Sequence, residues 1–151
     1  QQAISPGLVR ILLNRPEAFN SLSEGVLDEL QETLREISNN NDIRVVILAA
    51  SGKAFCAGHD LKEMMKAPSE AYYQSLFKKC TEMMLTVQGM PQPVIAQVQG
   101  VATAAGCQLV AMCDLAVASE DAKFAVSGIN LGVISVASPL ARRAGGVFHE
   151  L

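Results

Sequence analysis

The stretch that decides the fold covers residues 93–119 and reads PVIAQVQGVATAAGCQLVAMCDLAVAS. It predicts a strand over residues 94–98, then a run of small residues that opens a helix over about residues 104–112. Asp114 leads into a second apolar strand, residues 115–118, which we expect to be buried. A strand, a helix and a second strand in this order are typical of a parallel crossover, so the sequence predicts an α/β fold.

The preceding segments show the same alternation of strands and helices. Residues 8–13 and 45–50 are β-rich apolar runs, and residues 70–88 have helical spacing. The spacing of Ser21-Leu22-Ser23-Glu24 is that of a capping box and predicts the start of another helix. The apolar stripes of these two helices comprise Leu22, Val26, Leu30, Leu34 and Ile37 in the first, and Tyr73, Leu76, Phe77, Cys80, Met83, Met84 and Val87 in the second. The predicted class is therefore α/β with mainly parallel pairing.

Length and charge limit the kind of partner. The 151 residues are enough for one ordinary domain, and the net charge of −3 is spread along the sequence. The helix that begins near Glu24 is acidic, so no basic surface for nucleic acid is expected. The apolar runs are too short to cross a bilayer, and no membrane partner is expected either.

The cysteines indicate neither a disulfide framework nor a metal site. Cys56, Cys80, Cys107 and Cys113 lie in mostly apolar surroundings without paired C-x-x-C spacing. We interpret them as reduced intracellular thiols. Cys56 and His59 form a single C-x-x-H pair, and one such pair does not make up a metal ligand set, so no metal is predicted.

Two turns of small residues follow neighbouring strands of the predicted sheet. Residues 55–64 read FCAGHDLKEM, and residues 100–108 read GVATAAGCQ. The carboxyl ends of parallel strands meet at one edge of a sheet, and the start of each following helix leaves N–H groups free. Two converging N–H groups make an oxyanion hole, which stabilises negative charge on a carbonyl oxygen.

Four segments in order resemble the signature segments of the crotonase superfamily, the enoyl-CoA hydratase/isomerase family. They are NRPEAFNSLS at residues 14–23, FCAGHDLKEM at 55–64, the stretch at 93–119 quoted above, and FAVSGINLG at 124–132. The likeness is greatest to its enoyl-CoA hydratase domain-containing branch. The resemblance implies a spiral of ββα units, assembly as trimers or dimers of trimers, and lyase or isomerase chemistry in fatty acid metabolism. It implies acyl-CoA thioester substrates, with coenzyme A as part of the substrate and no prosthetic group.

The family's functional positions can be carried over onto this chain. Its two oxyanion donors fall on the backbone N–H groups of His59 and Ala105. The family's CoA-binding segments fall on Arg15, Ala18 and Asn20, and on Ala57, Gly58, Asp60, Leu61 and Lys62. Lys62 is expected to meet a CoA phosphate.

The sequence departs from the family's pattern at both proton-transfer positions. Hydratases of this family move protons to and from water with two glutamates, and those positions hold Gln108 and Gly128. A glutamine can orient water or substrate but cannot take a proton near neutral pH, and glycine has no side chain. The departure argues against hydration by two carboxylates. The remaining nearby titratable groups are His59, Asp60, Glu63, Asp114 and Glu120.

Several alternatives stay open at this point. The chain is either an enzyme that stabilises a thioester enolate, or a catalytically silent scaffold that binds CoA thioesters and regulates lipid metabolism. Gln108 either belongs to the site or bonds a neighbouring loop, and Asp114 is either catalytic or a structural cap. The run of Ala104, Ala105 and Gly106 serves either the site or close helix–strand packing.

The domain organisation is expected to be simple. Residues 1–151 are predicted to form the N-terminal spiral core, and the C-terminal helices that complete the family's pocket and trimer are expected to be absent from this chain. Residues 132–151 have no clear period. The expected compartment is the bacterial cytoplasm or the mitochondrial matrix.

Overall fold

The computed structural model describes residues 1–126, which form eight strands and four α-helices around one hydrophobic core. The strands are β1 Gln2–Ser5, β2 Leu8–Leu13, β3 Val45–Ala50, β4 Ala54–Cys56, β5 Val94–Val98, β6 Val101–Thr103, β7 Leu115–Ala118 and β8 Lys123–Ala125. The α-helices are α1 Glu24–Ser38, α2 Leu61–Met64, α3 Glu70–Gly89 and α4 Ala105–Met112, and a 3-10 turn covers Pro16–Ala18.

The larger sheet has five strands in the order β1-β2-β3-β5-β7. Strands β2, β3, β5 and β7 are parallel, and β1 pairs antiparallel with β2. These four parallel strands are the four that the apolar runs of the sequence predict. The prediction of mainly parallel pairing is therefore confirmed.

A second sheet has three short parallel strands in the order β4-β6-β8. Each follows a strand of the larger sheet, so β3–β4, β5–β6 and β7–β8 are successive pairs, and helices follow the first two pairs. This repetition is the ββα spiral that the resemblance implies. The strands have three residues each, too few for the alternation that identifies a strand in a sequence.

The helix N-termini refine one prediction and correct another. Helix α1 has Ser23 as its N-cap, with the side chain accepting a hydrogen bond from the backbone N–H of Val26, so the capping-box start at Ser21 is wrong by two residues. Ser21 instead donates its hydroxyl proton to Asp60, at 3.3 Å. Helix α4 begins at Ala105, within one residue of the prediction.

The helical stripes form much of the core. Helix α1 buries Leu27, Leu30, Leu34 and Ile37 against α3, which buries Leu76, Cys80, Met83, Met84 and Val87. Tyr73 and Phe77 of the predicted α3 stripe are only half-buried, because they lie beside the turn between β4 and α2 rather than against α1. No helix among residues 1–126 is long and apolar enough to span a membrane.

Strand β7 does not have the burial that its apolar sequence predicts. All of its residues are exposed, and Leu115 keeps 62% of its surface accessible. Since β7 is the last strand of the larger sheet, it pairs with β5 on one side and with no other strand of the described part of the chain. The expectation of a buried strand is therefore wrong for residues 115–118 in this structure.

Candidate active site

The turn between β4 and α2 is fastened to the loop before α1. Leu22 donates its N–H to the carbonyl of Gly58 at 2.8 Å and accepts the N–H of Asp60 at 3.2 Å. In this parallel bridge Leu22 bonds the two residues that flank His59, so the N–H of His59 itself points away from Leu22. That N–H donates to no acceptor within residues 1–126.

The turn before α4 leaves a second N–H without an acceptor. Ala104 donates its N–H to Ala125 at 2.9 Å and takes a positive φ of 49°, which is strained for a residue with a side chain. Ala105 is then the first residue of α4, where a helix offers no internal acceptor for an N–H. In the described part of the chain no other group accepts the Ala105 N–H.

Gly58 brings the two turns into contact. It has a φ of +95°, and a Cβ atom placed there would lie 3.3 Å from the Ala105 nitrogen and 3.0 Å from the Ala104 Cβ. Only glycine combines this backbone conformation with so close an approach. The N–H groups of His59 and Ala105 therefore lie in adjoining turns.

Gly106 packs closely against strand β4. A Cβ atom there would overlap the carbonyl group of Cys56 on β4. Close helix–strand packing is therefore the correct interpretation for Gly106. The N–H of the neighbouring Ala105 has no acceptor within residues 1–126, so the run serves packing and also contains a donor that no described residue uses.

The His59 side chain packs against an aromatic residue of α3. Its ring meets the edge of Phe77 with centroids 5.4 Å apart, and Nδ1 is buried with no hydrogen-bond partner in residues 1–126. Burial lowers the pKa of His59 below its ordinary value of 6.5, and an interaction with the Leu22 backbone opposes this shift only in part. The imidazole is therefore neutral at neutral pH.

The Arg15–Asp60 pair also links the loop before α1 to the turn between β4 and α2. The Arg15 guanidinium contacts Asp60 at 3.4 Å and donates to the Ser23 hydroxyl at 3.0 Å. Burial acts to raise the pKa of Asp60, but hydrogen bonds from Glu63, Ser21 and Arg15 outweigh it and the pKa lies below 3.8. Asp60 is also the N-cap of α2, so its carboxylate positions the turn that contains His59.

The side chain of Asn20 is buried and bonds three backbone groups. Its amide donates to the carbonyls of Ser51 and Ala54, both at 2.8 Å, and its oxygen accepts the N–H of Arg15 at 2.8 Å. Both donors of the side chain are thus used by the backbone. Asn20 thus shapes the loop for which the resemblance implies CoA binding.

The remaining predicted CoA contacts lie around the same turns. Ala18 is half-buried in the 3-10 turn, whereas Ala57, Leu61 and Lys62 are exposed next to His59. Glu63 faces α1, where its carboxylate accepts the N–H of Glu24 at 2.9 Å. The structure therefore brings Arg15, Ala18, Asn20 and residues 57–62 together along one side of the turn.

Comparison with known proteins places this arrangement in a family. The sequence profile described as enoyl-CoA hydratase/isomerase matches residues 3–147. The chain belongs to the enoyl-CoA hydratase/isomerase family. Among curated proteins it is 46% identical over 127 residues to the mitochondrial enoyl-CoA hydratase domain-containing protein 3 of Danio rerio, a match that covers 84% of this chain and 44% of that protein.

Solved structures of this crotonase family share the fold. An enoyl-CoA hydratase of Mycobacterium smegmatis is 57% identical with a TM-score of 0.86, and the match covers 95% of this chain and 55% of that one. The human enoyl-CoA hydratase domain-containing protein 3 is 41% identical with a TM-score of 0.87, over 94% of this chain and 56% of the other. The chain spans less than half the length of the curated relatives that it matches, such as the one from Danio rerio.

At the family's first proton-transfer position, Gln108 lies on α4 one turn after Ala105, half-buried. Its side chain has no hydrogen-bond partner among residues 1–126, so the alternative in which it bonds a neighbouring loop finds no support there. Gly128, at the second position, lies outside the described residues. Gln108 thus offers an amide at the position where the resemblance implies a carboxylate in the family's hydratases.

Asp114 has a structural role. Its carboxylate accepts the N–H of Val94 at 2.8 Å, and its own N–H donates to the Val94 carbonyl at 2.8 Å. These two bonds tie the end of α4 to the start of β5. The structure thus supports the cap interpretation of Asp114, and Glu120 lies exposed in the turn after β7.

The cysteines are buried and do not form a metal site within residues 1–126. Cys56, Cys80, Cys107 and Cys113 are buried and form no disulfide, and burial raises the pKa of Cys56 to about 12. A thiol with so high a pKa is a poor metal ligand and a poor nucleophile. No group of three or more metal-ligating side chains occurs in the described part of the chain.

Sequence reasoning found the residues of both turns but missed how they are held. The bridge between Leu22 and His59, the Arg15–Asp60 pair and the contact with Phe77 join segments far apart in sequence. Gly58 was the sequence signal that could have revealed the contact, since a glycine just after a strand can mark a close backbone approach.

Proposed function

We propose that this chain binds acyl-CoA thioesters and stabilises the enolate of the acyl group. The backbone N–H groups of His59 and Ala105 hold the thioester oxygen. The observation that carries the proposal is the close approach, at Gly58, of the two turns that contain these N–H groups. Such donors are fixed before the reaction, so they stabilise the developing charge without reorganisation. The resulting chemistry is that of an enoyl-CoA hydratase/isomerase-like lyase or isomerase.

The CoA part of the substrate lies along the loop of Arg15, Ala18 and Asn20 and along residues 57–62. The exposed Lys62 meets a phosphate of CoA, because its flexible ammonium group is free to reach a mobile anion. Gln108 orients water or the acyl chain, since its amide faces no partner within the described residues. No prosthetic group takes part.

The same family membership supports a proposal for the assembly and the compartment. We infer that residues 1–151 form the N-terminal spiral core and that the functional unit is a homotrimer or a dimer of trimers. The bacterial cytoplasm and the mitochondrial matrix are the compartments that fit relatives named as mitochondrial or found in bacteria. Light scattering on the purified chain tests the assembly.

Calorimetric titration with crotonyl-CoA, butyryl-CoA and free CoA tests the thioester site. Two hydrogen bonds to the carbonyl oxygen are worth about 1 kcal/mol each, about 2 kcal/mol together, so the thioesters should bind roughly 30-fold more tightly than CoA. Gly58→Ala places a methyl group between the two turns and should reduce this ratio toward one.

Gly25→Ala is the matched control, because a Cβ atom at Gly25 meets no atom within 4 Å. It should bind both thioesters and CoA as the unmodified chain does. No binding of thioesters by the unmodified chain at high micromolar concentration contradicts the proposal. An unchanged thioester-to-CoA ratio in Gly58→Ala contradicts the assignment of the donors.

The second candidate function is a catalytically silent scaffold that binds CoA thioesters or partner subunits and regulates lipid metabolism. The amide of Gln108 at a proton-transfer position and the structural engagement of Asp114 favour it. Incubation with crotonyl-CoA distinguishes the two. Turnover that Gly58→Ala abolishes and Gly25→Ala leaves intact argues for the enzyme, and binding without turnover of any thioester argues for the scaffold.

A further inference from the structure

The imidazole of His59 is the titratable side chain attached to the oxyanion site itself. The same residue supplies one of the two N–H donors, and only its Cα and Cβ atoms separate that nitrogen from the ring. A ligand oxygen held by the His59 N–H is therefore within a few ångströms of the imidazole. No other titratable residue of the described part of the chain also supplies one of the two proposed donors.

The ring has an unused hydrogen-bonding capacity and a fixed position. The edge-on contact with Phe77 holds the ring plane, and Nδ1 is buried without a partner among residues 1–126. Because Nδ1 is enclosed, we assign contact with a ligand to Nε2. Burial favours the neutral ring, in which one nitrogen carries the proton and the other has a lone pair that can accept one. With the ring proton on Nδ1, that lone pair is on Nε2.

Three of the candidate carboxylates in the sequence are engaged elsewhere. Asp60 caps α2 and pairs with Arg15, and Glu63 accepts the N–H of Glu24 at the start of α1. Asp114 bonds the backbone of Val94. With these carboxylates engaged and an amide at Gln108, the imidazole is the available proton acceptor among His59, Asp60, Glu63, Gln108 and Asp114.

We propose that His59 is the catalytic base of this site, removing a proton from the α-carbon of a bound acyl thioester. This inference rests on the proposed function. The α C–H bond breaks, its proton forms a bond to Nε2, and its electron pair moves into the enolate, whose oxygen the His59 and Ala105 N–H groups hold. Return of a proton from the imidazolium to the α-carbon restores the thioester, so the ring is regenerated without a further reactant.

Exchange of α-protons with deuterium in D2O measures this step directly. The probe is phenylacetyl-CoA, whose α-protons are acidified by both the ring and the thioester, and mass spectrometry follows the incorporation. His59→Gln keeps the backbone N–H and removes the base. A positioned base typically contributes about 10²–10⁴-fold, so we expect exchange to fall at least 100-fold while the Kd for phenylacetyl-CoA changes little.

Two further variants make the test decisive. His59→Asn should also lose exchange, and it replaces His59→Gln if that variant fails to fold. Lys78→Gln, on the exposed face of α3, should exchange as the unmodified chain does.

Each outcome is informative. Exchange by the unmodified chain that both His59 variants lose supports the inference. Exchange that persists in either folded variant overturns the inference. Tight binding by the unmodified chain without exchange overturns it as well. The proposed thioester site stands in both cases. Absence of any thioester binding overturns the proposed function together with this inference.

Discussion

At the scale of single residues, glycines decide how closely the two turns approach each other. Gly58 permits a φ of +95° beside the Ala105 nitrogen, and Gly106 permits the contact with the Cys56 carbonyl. The two positions have different reasons for being glycine. Gly58 needs both conformation and space, whereas Gly106 lies in a helix and needs space alone.

Replacing Gly106 tests this packing. Gly106→Ala forces a methyl group into the Cys56 carbonyl, which must move, and overpacking of this kind costs typically 1–3 kcal/mol. Urea unfolding followed by circular dichroism should show this loss in the free energy of unfolding. Gly25→Ala, in open space on α1, should gain about 0.4–1 kcal/mol, and a stable Gly106→Ala protein would disprove the close approach.

At the scale of elements, the start of α1 joins the helix to the site. Ser23 accepts hydrogen bonds from the Val26 N–H and from Arg15, while Glu63 accepts the N–H of Glu24. The helix N-terminus is thus bonded to residues that also hold the His59 turn. A change at this cap is therefore expected to act on helix stability and on thioester binding together.

Substitutions at Ser21 and Ser23 distinguish the N-cap of α1 that the sequence predicts, Ser21, from the N-cap in the structure, Ser23. Ser23→Ala should lower the free energy of unfolding by about 0.5–2 kcal/mol, because it removes the side-chain acceptor of the N-cap. Ser21→Ala loses only a 3.3 Å hydrogen bond to Asp60 and should cost less. Urea denaturation of both variants measures the order, and a larger cost at Ser21 would contradict the assigned cap.

At the scale of the whole molecule, stability should fall as the pH is lowered. The folded state depresses the pKa of His59 below 6.5 and that of Asp60 below 3.8, so the unfolded chain binds these protons first. The His59 contribution is present above pH 6.5 and is lost as the pH falls through its folded pKa. The Asp60 contribution is present above pH 3.8 and is lost in the same way at lower pH.

Unfolding free energies measured from pH 7.5 down to roughly pH 3 check this dependence. His59→Gln should remove the first decline, just below pH 6.5, and leave the second. The sequence has only one other histidine, His149, outside the described residues, so His149→Gln is the matched control and should retain the first decline. If the first decline survives in His59→Gln and disappears in His149→Gln, it comes from His149 and the prediction for His59 is wrong.

The fold was predictable where apolar runs are long. The apolar runs of residues 45–50 and 94–98 predict buried strands, and the apolar stripes of α1 and α3 predict helices. Each pattern extends over enough residues to be recognised in the sequence. The three-residue strands β4, β6 and β8 have no readable period. The exposure of β7 was equally unreadable, because an apolar strand at a sheet edge has the same composition as one in the centre.

By itself, the sequence determined the α/β class, the four parallel strands, the family and the two turns that contain His59 and Ala105. These depend on local periodicity and on small residues whose spacing can be read along the chain. Only the tertiary structure decided that Gly58 touches the start of α4, that Arg15 pairs with Asp60 and that Phe77 fixes the His59 ring. Such contacts join residues distant in sequence, and their energies arise from packing and burial that exist only once the chain has folded.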